Sequence, residues 1–299
     1  MSQRKLITFD WAIKRLLRSK ANFDVLEGFL SELLKDDIRI LEVLESESNQ
    51  DHHAAKFNRV DLKVRNSRDE LILIEVQYDR EYDYMQRMFY GVAKTAIEHL
   101  DVGDTYEHIA KVISINILHF DLGTGQDYIY HGTTRFIGLH THDELGLSAR
   151  QKELFKQETV YALFPEYYLI KINRFDDIAR DTLDEWIYFL KHEEIKDSFT
   201  AKGLRAAQEK LDILKLPPEE RAAYERYIDD LRYQASMFRS TYVDGYLDGK
   251  KEGQEAAREE GQRQARMAIA RQLLDILDDA AIAAKTGLSV DAVAELRRE

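Results

Sequence analysis

Two acidic residues and one amide lie where two strand-like segments end, and together they could bind a metal ion. Asp61 belongs to the alternating segment 59–64, and Glu75 and Gln77 close the apolar run 71–77. Because side chains alternate along a strand, Glu75 and Gln77 project to the same side. Burying an unpaired carboxylate costs several kcal/mol, so a carboxylate in such a run normally pairs, takes a proton or binds a metal.

A short turn brings Asp61 towards Glu75. Residues 66–69, Asn-Ser-Arg-Asp, have the composition of a tight turn and separate the two segments. The run 71–77 is continuously apolar until its end, as expected for a strand that is buried on both faces. Counting back from the turn along an antiparallel pair places Asp61 opposite residues 74–75. The two carboxylates are therefore predicted to converge at one end of a hairpin.

Converging carboxylates suit a magnesium or manganese ion. Such ions prefer oxygen ligands and keep coordination positions for water and phosphate. The alternative is that Glu75 is buried in an ordinary ion pair with Arg59 or Lys63 and binds no metal. The sequence leaves both interpretations open.

The elements around this hairpin predict a mixed α/β sheet. Apolar positions recur at helical spacing through residues 10–35, and residues 38–45 alternate as a strand. After the hairpin, residues 83–100 have the pattern of an amphipathic helix and residues 111–120 that of another apolar strand. Further strand-like pieces lie within residues 128–175. The order is thus helix, three strands, helix, strand.

The first helical region has features of its own. Asp10 is predicted to cap its N-terminus, and the segment 19–22 is predicted to divide it into two helices. Between Arg4 and Lys20 there are six basic residues, and Asp10 is the single acid. Such a stretch is either a solvated helix face or a surface that contacts DNA phosphates.

This combination resembles the PD-(D/E)XK nucleases. Asp61, thirteen residues and then Glu75-Val76-Gln77 match the D…(D/E)-x-K core of these enzymes, in a matching order of elements. The wider pattern of FDWAIKRLL, NRVDLKV and IEVQ, followed by a helix with Arg87 and Tyr90, resembles the bacterial recombination-promoting nuclease and transposase family over about residues 8–215. The pattern departs at Gln77, where the superfamily usually has a lysine.

The resemblance implies a restriction-endonuclease-like mixed sheet flanked by helices, and a DNA endonuclease that uses Mg²⁺ or Mn²⁺. The implied catalytic residues are Asp61, Glu75 and Gln77, and Gln77 would orient the attacking water. The implied metal ligands are Asp61, Glu75 and the Val76 carbonyl, with Glu42 a candidate ligand for a second ion. A role in recombination or mobile elements follows from the family. The alternative from another class is a catalytically silent DNA-binding or scaffolding protein that keeps the fold.

Two groups of residues are candidate DNA contacts. The first comes from the basic stretch near the N-terminus. The second lies at positions i, i+3 and i+7 of the predicted helix 83–100, on one face. The alternative for both groups is an ordinary exposed stripe. The candidates are Lys14, Arg15, Arg18, Arg87, Tyr90 and Lys94.

The composition excludes several classes of protein. The 299 residues include no cysteine, which removes disulfides, zinc–thiolate sites and cysteine nucleophiles. No phosphate-binding loop of an NTPase and no nucleophile elbow is present. No signal peptide is evident, and no apolar run reaches the ~18–20 residues of a membrane helix, so a soluble cytoplasmic protein is expected. The net charge of −12 argues against coating of DNA through bulk charge.

The last third of the chain predicts a long helical arm. Pro217 and Pro218 precede a proline-free, strongly helix-forming stretch. We therefore divide the chain into a nuclease-like domain (1–215), an arm (216–274) and a tail (275–299). Small residues recur along the arm, which favours close packing with a second helix and hence a homodimer or higher homo-oligomer. They occupy positions 245, 249, 253, 257, 261 and 265.

The tail resembles a helix-turn-helix. Gly287 supplies the turn and Ser289 can cap the second helix. That helix carries Asp291 and Glu295 and few donors for base edges, which favours a packing or oligomerisation element over DNA reading. The glycine spacing of the arm is similar to that of flagellar assembly protein H, so a regulator of an export apparatus is a third possibility.

Overall fold

A six-stranded mixed sheet organises the first part of the chain. The computed structural model describes residues 6–44, 61–100, 103 and 105–298. Within these residues the strand order is β1-β2-β3-β4-β6-β5. Neighbouring strands from β1 to β3 are antiparallel, β3, β4 and β6 are parallel, and β5 is antiparallel to β6. The strands are β1 (Ile40–Leu44), β2 (Leu62–Asn66), β3 (Leu71–Gln77), β4 (Val112–Leu118), β5 (Ile129–Gly132) and β6 (Glu166–Lys171).

The β2–β3 hairpin has the predicted register. Arg65 pairs with Leu71 and Leu62 pairs with Ile74, so the next position along places Asp61 level with Glu75. The Asn66 side chain holds the turn, because its Oδ1 accepts hydrogen bonds from the backbone N–H groups of residues 68 and 70 at 3.0 and 2.9 Å. The first six residues of β3 are buried, as expected for a strand covered on both faces.

Helices flank the sheet. The first helical region is divided, as predicted, by a 3₁₀ turn at Lys20–Asn22. The predicted cap at Asp10 is wrong, because Thr8 is the N-cap and its Oγ1 accepts from the Trp11 N–H at 3.4 Å. The helices of this part are α1 (Phe9–Arg15), α2 (Phe23–Leu34), α3 (Tyr84–Glu98), α4 (Ala149–Phe155), α5 (Thr182–His192) and α6 (Leu204–Lys210).

Glu75 and Gln77 lie on the face of the sheet that packs against α3. Val92 of α3 packs against Leu71 and Leu73 of β3. Because side chains alternate, Glu75 and Gln77 project from that same face. The opposite face of β3 carries Ile72, Ile74 and Val76, which are all buried. A separate group of aromatic rings joins α1, α2 and α5: Phe9, Phe29, Trp186 and Phe189.

The C-terminal region begins with one long helix, α7 (Pro218–Leu273). It comprises 56 residues. The chain divides into two compact units, Met1–Tyr224 and Glu225–Glu299. The first turns of α7 belong to the first unit, where the Tyr224 hydroxyl accepts from the Thr8 N–H at 3.2 Å.

The tail forms two short helices, α8 (Asp279–Thr286) and α9 (Val290–Leu296). Gly287 ends α8 with a φ of 72°, a left-handed conformation that suits glycine. The Ser289 hydroxyl caps α9 by accepting from the Ala292 N–H at 3.2 Å. The second unit has its own apolar cluster, formed by Ala270, Ile282, Ala283, Val293 and Leu296. Across the part of the chain that the structure describes, no helix is both long and apolar enough to span a membrane.

Candidate active site

Asp61 and Glu75 occupy opposite positions at the end of the β2–β3 hairpin. The Asp61 Oδ2 accepts a hydrogen bond of 2.7 Å from the backbone N–H of Val76, one residue beyond Glu75. Both carboxylates are withdrawn from solvent, with side chains 13% and 10% exposed. The pairing of the strands therefore brings together the two acids that the sequence singled out.

A network from α3 holds the Glu75 side of the site. Arg87 of α3 forms an ion pair with Glu75 and a second one, of 2.6 Å, with Glu81. Glu81 also accepts a hydrogen bond of 2.9 Å from the Gln77 amide nitrogen. Gln77 is thereby positioned on the same side as Glu75.

A second network from α1 holds the Asp61 side. The Lys14 ammonium lies 2.7 Å from the Asp10 carboxylate and 3.4 Å from the Asp61 carboxylate. Asp10 is almost completely buried in the first turn of α1. Arg18 donates a hydrogen bond of 2.9 Å to the backbone carbonyl of Asp61. Helix α1 and the residues that follow it are thus tied to the end of the hairpin through Lys14 and Arg18.

The site carries more negative than positive charge. Four carboxylates, on Asp10, Asp61, Glu75 and Glu81, lie with three cations: Lys14 and Arg87 form ion pairs with them, and Arg18 contacts the Asp61 carbonyl. Together these groups carry a net charge of −1 when all are ionised. Burial raises the pKa of Glu75 to about 7, and Arg87 offsets only part of that effect. Burial also raises the pKa of Asp61, against the opposing influence of the Lys14 charge and the Val76 N–H. For both carboxylates, the neighbouring cations and the Val76 N–H offset only part of the cost of burying the ionised group.

The donor set is a pair of carboxylates. Among the residues that the structure describes, no three acidic or histidine side chains form a group that could hold a metal ion. The Val76 carbonyl is a further oxygen near Asp61, because the N–H and C=O of one strand residue point in the same lateral direction and this N–H meets Asp61. Two carboxylate groups and one backbone carbonyl are hard oxygen donors that suit Mg²⁺ or Mn²⁺.

A comparison with protein families shows which family the chain belongs to. The family described as PD-(D/E)XK nuclease family transposase matches residues 7–239. The chain belongs to this family. The match confirms the resemblance seen in the motifs, and the mixed sheet flanked by helices confirms the predicted restriction-endonuclease-like fold. No curated protein and no solved structure matches the chain.

This member of the PD-(D/E)XK nuclease family transposases has site residues that its sequence did not reveal. Asp10 binds Lys14 and Glu81 binds Arg87. Asn116 of β4 lies level with Glu75, and its Oδ1 accepts a 3.0 Å hydrogen bond from the buried Tyr84 hydroxyl. Burial raises the pKa of Tyr84, so this hydroxyl stays protonated and can donate. The available signals were the spacing of Asp10 four residues before Lys14 and an asparagine within an otherwise apolar strand.

Two sequence-based assignments are corrected for this family member. Glu42 is not at the site, because it pairs with Arg65 at 3.1 Å, four residues along β2 from Asp61, a separation of about 13 Å at ~3.3 Å per residue. Lys63, one of the two residues considered as an ion-pair partner of Glu75, binds Glu98 at 3.2 Å. Glu75 forms its ion pair with Arg87 instead. The other expected partner, Arg59, lies outside the described residues.

The remaining candidate DNA contacts, Arg15, Tyr90 and Lys94, differ in their surroundings. Arg15 is exposed and stands over the Trp11 ring at 5.8 Å. On α3, Tyr90 is 48% exposed and Lys94 forms an ion pair of 3.4 Å with Glu98.

Proposed function

We propose that this protein is a DNA endonuclease that hydrolyses phosphodiester bonds with Mg²⁺ or Mn²⁺, in recombination or mobile-element biology. Membership of a nuclease and transposase family supports a nuclease-like or transposase-like role. The observation that carries the finer proposal is the placement of Asp61 and Glu75. The hairpin register sets them opposite each other, and the Asp61 carboxylate reaches the backbone of residue 76.

The net negative charge of the site supports binding of a divalent cation. Four carboxylates against three cations leave a net negative charge, which favours binding of a divalent ion. Asp61, Glu75 and the Val76 carbonyl would hold it. When bound, such an ion lowers the pKa of a coordinated water and offsets charge on the phosphate oxygens.

Gln77 would orient the attacking water. Its amide nitrogen is held by Glu81 at 2.9 Å. The amide oxygen, on the other arm of the same planar group, can accept a hydrogen bond from a water molecule. Gln77 carries no charge, so its contribution is one of position.

DNA would approach past the basic residues that surround the two carboxylates. Lys14, Arg15 and Arg18 come from α1 and the residues that follow it, and Lys14 and Arg18 already contact the site. On α3, Arg87 binds Glu75, while Tyr90 and Lys94 lie further along the helix. These positions would contact phosphates and give binding a strong dependence on salt.

The second candidate function is a catalytically silent DNA-binding or scaffolding protein. Both carboxylates are engaged by cations, Asp61 by Lys14 and Glu75 by Arg87. Such pairs can be purely structural, and then the cost of removing one partner would be in stability. Cleavage assays separate the two candidates.

The decisive experiment is nicking of supercoiled plasmid with Mg²⁺, with Mn²⁺ and with EDTA. Asp61→Asn and Glu75→Gln keep the shape of each side chain and remove its charge. We expect each to lower the rate by about a hundredfold or more, because metal ligands supply several kcal/mol of transition-state stabilisation. Glu42→Gln removes an acid from the same sheet away from the site and is the matched control, with a rate expected within about threefold of wild type.

The silent alternative predicts a different pattern. Wild type and both variants would then leave the plasmid supercoiled under every metal condition, while retaining their affinity for duplex DNA. Equal nicking by wild type, Asp61→Asn and Glu75→Gln would indicate a contaminating enzyme and would also rule out the proposed site.

We also propose that α7 pairs with α7 of a second copy of the chain. Glycines in a helix interior cost about 1 kcal/mol each relative to alanine, which close packing of a partner helix would offset. A Cβ atom added to any of the four arm glycines would meet nothing within 4 Å, so the stripe has room for a partner. Large apolar side chains are exposed on the same helix at Tyr233, Met237, Phe238, Tyr242, Tyr246 and Leu247.

A further inference from the structure

Strand β3, which carries Glu75, has no basic residue that could stabilise a phosphate group during phosphodiester hydrolysis. Hydrolysis adds the oxygen of a water to phosphorus and breaks the bond from phosphorus to one sugar oxygen. That sugar leaves with a hydroxyl, and the second water proton goes to solvent. Negative charge builds on the phosphate oxygens on the way, and a fixed positive group nearby stabilises it. Gln77 stands on the same face as Glu75 but is neutral at every pH.

Three cations in the described part of the chain touch residues of the site, and they differ in what they bind. Arg87 is shared between the carboxylates of Glu75 and Glu81. Arg18 contacts the backbone carbonyl of Asp61. Lys14 lies against the Asp61 carboxylate itself, and this places its ammonium group beside a metal ligand under the proposed function.

Asp10 holds the Lys14 ammonium group in one position, as a fixed positive charge at the site requires. Its ammonium group is closer to Asp10, at 2.7 Å, than to Asp61, at 3.4 Å. Asp10 lies four residues earlier on α1, a spacing at which side chains of one helix meet. If Asp61 turned its oxygen to a metal ion, Asp10 would still hold the lysine in place. The Lys14 side chain is 44% exposed, so a phosphate from solvent can reach it.

We propose that Lys14, positioned by Asp10, is the cationic catalytic residue of this nuclease and supplies from α1 the charge that Gln77 does not supply from β3. This proposal rests on the proposed function. In it, Lys14 stabilises the developing charge on the phosphate and exchanges no proton with it. Asp10 is a positioning residue, because it acts through Lys14.

A relocation of the charge tests this assignment. Lys14→Gln removes the positive group, and Lys14→Gln combined with Gln77→Lys puts one back on β3. Under single-turnover conditions with saturating duplex DNA and Mn²⁺, we expect Lys14→Gln to cleave about a hundredfold more slowly, the usual effect of removing one such stabilising group. The double variant should recover at least tenfold. Lys152→Gln, which removes a lysine charge from the surface of α4, where Lys152 pairs with Glu158, should remain within threefold of wild type.

A second measurement needs no turnover. Titration calorimetry with Mn²⁺ alone should show at least threefold tighter binding to Lys14→Gln than to wild type, because a positive charge beside Asp61 has been removed. A lysine that merely scaffolds Asp61 would give weaker Mn²⁺ binding instead, and that result would overturn the proposal. Lys14→Gln removes an ion-pair partner of the buried Asp10, so Asp10→Asn/Lys14→Gln, which removes both charges, is measured alongside. The two variants should lose cleavage to a similar extent.

The outcomes separate this proposal from the one beneath it. No cleavage by wild type with either metal overturns the proposed function, and the role of Lys14 with it. Cleavage by wild type and by Lys14→Gln at similar rates overturns the role of Lys14 alone. The same holds if the loss is in duplex affinity and disappears at saturating DNA, since Lys14 is then a phosphate contact. A double variant no faster than Lys14→Gln also counts against the proposal.

Discussion

The buried Glu75 carboxylate should make the metal-free protein less stable as the pH rises. Its pKa moves from an ordinary value of 4.5 to about 7 in the folded state, chiefly through burial. Between these two values the folded state holds a proton that the unfolded chain has released, so the free energy of unfolding falls with rising pH. Below pH 4.5 the effect is absent, and above about pH 7 it is complete.

The size of the effect follows from the same shift. Each pH unit between the two pKa values is worth about 1.4 kcal/mol, so full ionisation of Glu75 costs the folded state about 3 kcal/mol. Glu75→Gln removes the titration and keeps the side-chain shape. Relative to wild type, this variant should therefore gain about 2 to 3 kcal/mol of stability between pH 4.5 and pH 8 in EDTA. The comparison cancels most other titrating groups, because they are common to both proteins.

Urea unfolding followed by tryptophan fluorescence measures this difference. Trp11 and Trp186 are both buried and report on the first unit of the chain. Glu42→Gln, which removes an exposed acid, controls for the loss of one negative charge. Mg²⁺ at pH 8 should stabilise wild type and not Glu75→Gln, because a ligand that binds the folded state alone shifts unfolding. The reasoning is refuted if the stability difference between wild type and Glu75→Gln stays constant from pH 4.5 to 8, or changes in favour of wild type.

Two further predictions concern glycines in contrasting surroundings. Gly28→Ala should lower the free energy of unfolding in urea by about 3 kcal/mol, since a Cβ there would lie 2.4 Å from the carbonyl oxygen of residue 202. Gly146→Ala is the control, because its Cβ would meet nothing within 4 Å, and it should change this free energy by less than about 1 kcal/mol. Equal effects of the two substitutions would contradict the packing at Gly28. Gly249→Ala/Gly253→Ala should weaken self-association by at least about tenfold in sedimentation velocity, while helix content rises. Gln254→Ala, which lies off the stripe of small residues, should not weaken self-association. Tighter or unchanged association of the glycine variant would argue against pairing through α7.

Local pattern was a good guide to the hairpin and to the elements around it. The alternation of residues 59–64, the turn at 66–69 and the run 71–77 predicted the register that places Asp61 level with Glu75. Strand geometry repeats every two residues and turn geometry depends on adjacent residues, so this information is short-range. The same logic failed for Asp10, which has the residue type of a cap but lies two positions inside the helix that Thr8 caps.

The partners of the two acids were beyond such reasoning. Lys14 and Arg87 looked like surface residues that contact DNA, and Lys63 looked like a partner of Glu75. In the structure, Lys14 of α1 reaches Asp61 across more than forty residues of chain, and α3 brings Arg87 back onto Glu75. Nothing in local periodicity says which helix packs on a given face of a sheet.

The sequence by itself determined the family, the α/β order of elements, the hairpin and the two carboxylates at its end, because each depends on residue type and on spacings of a few residues. Only the tertiary structure decided that Glu42 lies elsewhere and that Asp10 and Glu81 join the site. It also decided that cations from two separate helices meet these acids. Charges act through space with an energy that depends on distance and burial, and the packing of whole elements sets both of these.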